Sequence, residues 1–154
     1  MAPLTALNRL GSLSLHDNQI TDLTPLAGLD RLEMLSLGGN GITSVAPLSA
    51  LEDLRYLYLG RNQIVDAAPL SGLLRLYELD LAGNQIDSLA PLHRTYALKK
   101  LWLEGNRVAD LSPLEDLTDL EVLDLSENTI SDVVPLSDLC LLYTSDAADD
   151  QLGV

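Results

Sequence analysis

The sequence predicts an α/β-type solenoid, an array of short repeats with a concave parallel β-sheet and convex short 3₁₀ or turn segments. Three observations lead to this fold class: a strict 22-residue period, leucines that alternate within each repeat, and a proline at one fixed place in each repeat. Residues 1–139 follow this period, so we expect them to form one array.

The period is marked most clearly by asparagine. The recurring residues are Asn18, Asn40, Asn62, Asn84, Asn106 and Asn128. An asparagine that points into a buried turn offers donors and an acceptor to the backbone groups around it. The column therefore predicts a ladder of structural amides, and it implies no catalytic role for these side chains.

The strand of each repeat is predicted from the leucines before the asparagine. In the repeat of Asn62, Leu57 and Leu59 point to one side while Tyr56 and Tyr58 point to the other, which is the period of a strand. One repeat cannot bury its leucines alone. Neighbouring repeats are therefore expected to stack their strands in parallel and to share one core.

The convex segment is predicted from a proline that is followed directly by leucine, as in Pro69 and Leu70. Proline has no N–H donor and a fixed backbone angle, so it suits a tight return segment better than a strand ladder. After a strand and two turns, a 22-residue repeat leaves too little chain for a helix of average length. Short turns or 3₁₀ segments are expected instead.

Written as a consensus, the repeat is LxxLxLxxNxIxxLxPLxxLxx over residues 1–139, and it resembles the leucine-rich repeat family. Its length and its proline-leucine step are similar to those of bacterial internalins and of a phosphatase-regulating relative. The resemblance implies a right-handed array that binds proteins and is not an enzyme. An internalin-like parent protein would be secreted or on the cell surface, whereas the phosphatase regulators work inside cells.

The chain is acidic, with a formal net charge of −14 over 154 residues. Nucleic acid and anionic membrane surfaces would be repelled by this charge. The charge is uneven, because residues 104–138 hold ten acidic residues and only Arg107, whereas residues 1–103 hold ten acidic and eight basic ones. Solubility is the favoured interpretation of the acidic end, and a basic partner is the alternative. No stretch is long and apolar enough to predict a membrane span.

Candidate binding residues lie on the predicted sheet face opposite the leucines. They occupy three columns, six, four and two residues before each asparagine. The first column is Ser12, Met34, Tyr56, Glu78, Lys100 and Val122; the second is Ser14, Ser36, Tyr58, Asp80, Trp102 and Asp124; the third is His16, Gly38, Gly60, Ala82, Glu104 and Ser126. These columns vary freely while the frame of leucine, asparagine and proline stays constant.

Aromatic residues make up 4% of the chain, yet Tyr56, Tyr58 and Trp102 all fall in these columns. Exposed aromatic rings beside charged groups are typical of protein-binding hot spots. The partner-binding residues are predicted to be Met34, Tyr56, Tyr58, Glu78, Asp80, Lys100, Trp102, Glu104 and Asp124. The alternative is that the rings only cover the sheet and pack on one another. Lys100 and Glu78 are expected to form a cross-strand ion pair rather than ligand contacts.

No catalytic residue, metal site or cofactor is predicted. His16 lies near Asp17, but no third group that would orient its ring is evident. Asp80 and Asp124 flank the strand of Trp102, so a shared cation would have to bridge two strand spacings, which is unfavourable for a compact oxygen cage.

One return segment departs from the pattern, because Thr95 stands where other repeats carry Leu29, Leu51, Leu73 and Leu117. We expect Tyr96 to fill part of the space that the smaller side chain leaves. A functional kink of the convex side near His93 is the alternative.

Both ends of the chain interrupt the period. Pro3 and Leu4 are in phase with later repeats, so the chain is expected to begin within a partial first repeat and without a cap. The segment Cys140–Asp149 resembles a translated sequencing adapter, and residues 140–154 are interpreted as a non-native tail. Uncapped ends also raise the possibility of self-association.

Two functions follow from the sequence. The favoured one is a protein-recognition module, part of a longer protein, that binds an unidentified partner on its concave face. The alternative is a targeting or regulatory module that is attached to an enzyme, or docks on one, such as a phosphatase.

Overall fold

A computed structural model describes Leu7 and residues 9–139, and it contains one six-stranded parallel sheet. The strands are β1 (Ser12–Ser14), β2 (Met34–Ser36), β3 (Tyr56–Tyr58), β4 (Glu78–Asp80), β5 (Lys100–Trp102) and β6 (Val122–Asp124). They pair in chain order, and each residue pairs with its equivalent in the next repeat. The predicted solenoid is therefore confirmed, and the sequence period sets the strand register. The predictions of a partial first repeat and of a non-native tail concern residues 1–6 and 140–154, which lie outside the described residues.

The convex side consists of three-residue 3₁₀ turns, as predicted. They are Thr24–Leu26, Ala46–Leu48, Ala68–Leu70, Ala90–Leu92, Ser112–Leu114 and Val134–Leu136. Proline is the second residue of each turn. The N–H groups at the start of a helical turn have no acceptor within the turn, so the missing N–H of proline costs nothing there. The leucine that follows is buried in the first five turns, as at Leu48 and Leu70, whereas Leu136 of the last turn is partly buried and packs against the core. Each turn thus reverses the chain and returns a leucine to the core.

The core is built mainly from leucine, with isoleucine, valine and alanine at a few positions. The central residues of the inner strands, among them Leu57, Leu79 and Leu101, have no exposed surface. Each stacks on the equivalent leucine of the next strand, because the register pairs them directly. Burial of a leucine side chain contributes about 1.5–3 kcal/mol, so the stacked column is a major source of stability.

The asparagine column forms the predicted ladder. The amide nitrogen of Asn62 donates to the carbonyl oxygens of Leu59, at 2.9 Å, and of Leu37 in the preceding repeat, at 3.1 Å. Its side-chain oxygen accepts the backbone N–H of Ile42 at 3.0 Å. Asn84 and Asn106 make the equivalent contacts. Each amide therefore ties two neighbouring repeats together.

The residue before each asparagine adopts left-handed backbone geometry, a feature that was not predicted. These residues are Asp17, Gly39, Arg61, Gly83, Gly105 and Glu127, with φ between 52° and 66°. Glycine adopts this geometry without steric cost, whereas other residues rarely do. At Gly39 the lack of a side chain has a second effect. Arg61 reaches past it to donate to Asp17 at 2.9 Å, and a Cβ at Gly39 would lie 2.1 Å from the Asp17 carboxylate.

The return segment of Thr95 differs from the prediction. Thr95 is fully buried, and its hydroxyl donates to the carbonyl oxygen of Leu92 at 2.7 Å. Tyr96 does not enter the core, because its side chain is 55% exposed. The turn itself satisfies the hydroxyl, so no aromatic ring is needed to replace the leucine. His93 closes the same turn, with its Nδ1 atom 2.8 Å from the oxygen of Ala90.

No helix in the described part of the chain is long and apolar enough to cross a membrane.

Candidate functional site

The strand register arranges the predicted binding residues in two rows across the sheet. The first row is Met34, Tyr56, Glu78 and Lys100, and the second contains Tyr58, Asp80, Trp102 and Asp124. All eight of these residues are partly exposed, while the central leucine of each strand from β2 to β6 is buried. The alternation inferred from the sequence therefore places them together on the concave face.

Glu104, the ninth predicted residue, lies two positions beyond the end of β5 and is exposed. Backbone pairing continues past the strand, since the N–H groups of Leu103 and Gly105 donate to the oxygens of Asp124 and Ser126 at 2.8 and 3.0 Å. The left-handed geometry at Gly105 then ends the extended segment. The residues of the third predicted column thus come just after the strands in the chain and are not part of them.

A hydrogen-bonded network links three strands across the two rows. The Tyr58 hydroxyl donates to one oxygen of Glu78 at 2.7 Å, and Lys100 donates to the other at 2.9 Å. Burial acts to raise the pKa of Glu78, but the bonds from Lys100 and Tyr58 outweigh it and hold that pKa below its usual value. Burial and the bond to the Glu78 carboxylate raise the pKa of Tyr58 to about 12. The expected ion pair is therefore present as part of a larger network.

Beside this network is a shallow cleft of about 280 Å³. Its lining residues are Tyr58, Asp80, Ala82, Trp102 and Glu104. Asp80 forms part of the lining between the two aromatic residues, and its carboxylate accepts the N–H of Ala82 at 2.9 Å. Burial raises the pKa of Asp80 above its usual value. The cleft thus combines two aromatic side chains with two carboxylates.

The Asp80 carboxylate lies close to the backbone of Gly60 in the preceding repeat. A Cβ atom at that position would lie 2.7 Å from the nearer carboxylate oxygen. Any larger residue would push the carboxylate from its place. Gly60 therefore helps to set the position of Asp80 in the cleft.

A second aromatic cluster lies at the rim of the concave face. The rings of Tyr56 and Tyr77 are tilted, with their centroids 5.9 Å apart, and Lys99 Nζ lies 5.8 Å from the Tyr77 centroid. Both interactions are within the usual range for aromatic and cation–π contacts. Tyr56 and Tyr77 line a larger cleft of about 700 Å³ together with Arg55 and Arg75.

Tyr77 was missed in the sequence analysis because the strand alternation breaks at its position. It lies seven residues before Asn84, between the buried Leu76 and the outward Glu78. Its own column offered a signal, since the equivalent residues Arg55 and Lys99 are also large and polar. A series of large side chains next to the outward positions indicates a second exposed column.

Ionisable groups outside these clusters form simple surface contacts. His16 Nδ1 lies 3.1 Å from the Asp17 carboxylate, and both side chains are more than half exposed. In residues 9–139 no group of three or more histidine, cysteine or carboxylate side chains is arranged to hold a metal ion. The site is therefore described by its aromatic and charged side chains alone.

A family model described as leucine-rich repeats (2 copies) matches residues 8–50, 30–72, 52–92 and 97–139. Among solved structures, an internalin of Listeria monocytogenes is 36% identical with a TM-score of 0.89, and the match covers 92% of this chain and 42% of the internalin. Internalin C2 of the same species is 38% identical with a TM-score of 0.80, over 92% and 73% of the two chains. A Leptospira interrogans leucine-rich repeat protein is 29% identical with a TM-score of 0.84, over 92% and 38%. A search of curated proteins gave no match.

Proposed function

Because the chain belongs to the leucine-rich repeat family, whose fold is generally a protein-interaction module, we propose that it binds a protein partner on its concave face. The supporting observation is the row formed by Tyr58, Asp80 and Trp102, which the strand register brings side by side on the open face of the sheet. The unit proposed to bind is the array of residues 1–139, without residues 140–154. The proposal assigns no reaction to the chain.

Affinity in this proposal comes mainly from the aromatic side chains. Tyrosine and tryptophan dominate the energetics of protein interfaces, because they bury large areas with few rotatable bonds. Tyr58 is already held by its hydrogen bond to Glu78, and Tyr56 by its contact with Tyr77. Binding therefore orders few additional side chains, which lowers the entropic cost of association.

Specificity would come from the charged groups beside the rings. The Lys100 ammonium and the Glu78 carboxylate neutralise each other, whereas Asp80 and Glu104 present negative charge to the cleft. A partner must match this pattern, since like charges placed opposite one another cost binding free energy.

A selection from a phage-displayed library of random peptides tests the proposal. Peptides that bind the full chain should lose affinity for the Trp102→Ala variant by about 30-fold, which corresponds to a hot-spot loss of about 2 kcal/mol. Tyr96→Ala is the matched control, because this tyrosine is exposed in a return segment away from the strands. Peptides that keep their affinity for Trp102→Ala would overturn the concave-face proposal, whether or not they depend on Tyr96.

A further inference from the structure

We infer that the cleft between Tyr58 and Trp102 binds an arginine side chain of the partner protein. The inference rests on the proposed function, because it specifies the chemistry of what the concave face recognises. Three observations carry it: the spacing of the two aromatic side chains, the position of two carboxylates, and the pairing of the nearby cations with other groups.

The spacing of the aromatic side chains suits one flat group. Tyr58 and Trp102 lie in one row with Asp80 between them, so their backbones are two strand spacings apart, about 10 Å. A planar group that contacts a ring on each side needs about 3.5–4 Å on either side, or about 7–8 Å in all. Aspartate is short, so the space above it stays open as the cleft of about 280 Å³.

The charge of the cleft favours a cation. Asp80 and Glu104 both line it, and Asp124 lies on the strand beyond Trp102. Among the ion pairs of residues 9–139, none includes these three carboxylates. Their negative charge is therefore not neutralised by a direct ion pair within the described chain.

The basic side chains nearest the cleft are held elsewhere. Lys100 Nζ lies 2.9 Å from Glu78, and the Arg61 guanidinium lies 2.9 Å from Asp17. Neither cation is paired with a cleft carboxylate. A partner side chain can supply the missing positive charge without breaking either ion pair.

Arginine fits this site better than lysine. Its guanidinium is planar, stacks on aromatic faces and donates several hydrogen bonds in one plane, whereas the lysine ammonium is a compact and strongly hydrated charge. In the cleft, stacking can use the Trp102 ring while the N–H groups reach Asp80 or Glu104. The Glu104 carboxylate makes no hydrogen bond within the described residues, so it can accept without losing a partner.

Two further features agree with a cationic ligand. Burial raises the pKa of Asp80, so a bound positive charge would relieve an unfavourable environment and lower that pKa. Residues 104–138 also contribute ten acidic residues and only Arg107, which would attract a basic partner over a longer range.

The test uses small probes of matched shape and different charge. The full chain is titrated with N-acetyl-arginine amide, N-acetyl-lysine amide and N-acetyl-citrulline amide, the last being a neutral analogue of arginine. Trp102 is the only tryptophan, so its fluorescence and its indole N–H resonance report on this cleft alone. We expect saturable binding of the arginine probe with a Kd on the order of millimolar. Binding of the citrulline probe should be at least about tenfold weaker, and that of the lysine probe intermediate.

Two double variants with the same change in net charge separate the local site from the overall charge. Asp80→Asn with Glu104→Gln should abolish the saturable response to the arginine probe. Glu115→Gln with Asp116→Asn, two exposed positions in a return segment, should preserve it. Absence of a saturable arginine response, an equal response to citrulline, or an equal loss in both double variants would overturn the inference.

The two proposals fail separately. If selected peptides depend on Trp102 but the arginine probe does not bind, the concave-face function stands and only the arginine inference falls. If the selected peptides do not depend on Trp102, the function itself falls, whatever the probes show.

Discussion

The inward and outward residues of the same strands follow different rules. Inward, Leu79 and Leu101 are identical and fully buried, and the core repeats the same side chain in every strand. Outward, Asp80 and Trp102 occupy equivalent positions but differ in size, charge and chemistry. The repeat therefore keeps its geometry constant on one side of the sheet, and the side chains on the other side can vary without loss of the fold.

On the inward side, a large loss of stability is expected from removing one amide of the asparagine ladder. Asn84→Ala would leave the N–H of Ile64 without its side-chain acceptor, and the carbonyl oxygens of Leu59 and Leu81 would each keep only one of their two amide donors. A buried N–H without a partner costs about 1–3 kcal/mol, and the two lost amide donors add to this cost, so we expect a loss of about 3 kcal/mol in the free energy of unfolding. Denaturation by urea measures it.

Asn18→Ala is the matched control for that experiment. Asn18 is exposed, and its amide nitrogen donates to Leu15 and His16 of its own repeat. Water can replace these bonds, so the expected loss is below about 1 kcal/mol. Equal losses for the two variants would show that burial of the ladder does not determine its contribution.

On the outward side, high pH should weaken the network of Tyr58 and Glu78. The phenol ionises near 10.0 in the unfolded chain and at about 12 in the folded chain. Between these values the unfolded state releases a proton that the folded state keeps, so stability falls as pH rises through this window. The decrease should be smaller in Tyr58→Phe, as measured by urea denaturation at several pH values.

The Glu78→Gln variant tests how much the hydrogen bond to Glu78 contributes to the raised pKa of Tyr58. It removes the carboxylate that accepts the Tyr58 proton, while the burial of the phenol remains. The pKa of Tyr58 should therefore fall only part of the way from about 12 toward 10.0, as measured by ultraviolet titration of the phenol. An unchanged pKa would mean that the hydrogen bond to Glu78 has no influence on it.

The smallest expected effect concerns Asp80. Burial raises its folded pKa, so keeping the carboxylate charged costs stability at neutral pH, and the stability of the protein rises as pH falls through that pKa. Asp80→Asn keeps an oxygen that can accept the Ala82 N–H and removes the charge. We expect a gain in stability of up to about 0.5 kcal/mol at pH 7, which disappears at acidic pH. A loss at pH 7 would contradict this assignment.

The sequence predicted the fold almost completely, because the fold depends on a period. A 22-residue spacing with Leu57, Asn62 and Pro69 in fixed places determines the strand, its register and the 3₁₀ turn together. It also determined which side chains share a row, such as Tyr58, Asp80 and Trp102. Repeats make these relations local, so no long-range contact had to be guessed.

The rest depended on side-chain geometry that spacing does not encode. The bond from Tyr58 to Glu78 joins two different columns, so it follows from rotamers rather than from register. Tyr77 lies where the alternation breaks, and its contact with Tyr56 could not be read from strand periodicity. Tyr96 was expected in the core, but Thr95 is satisfied by its own turn. Tyr77 and Tyr96 were thus missed where the period breaks, whereas the Tyr58 bond was missed because a period does not encode rotamers.

The most direct test of the central claim compares two neighbours on β5, Leu101 and Trp102, which point to opposite sides of the sheet. Affinity for the selected peptides and free energy of unfolding are measured together for the Trp102→Ala variant, with Leu101→Ala as the control. We predict that Trp102→Ala loses about 2 kcal/mol of binding and less than about 1 kcal/mol of stability, while Leu101→Ala loses about 2–5 kcal/mol of stability. A Trp102→Ala variant that binds normally but unfolds as readily as Leu101→Ala would contradict the account, because the tryptophan would then stabilise the fold and would not bind the partner.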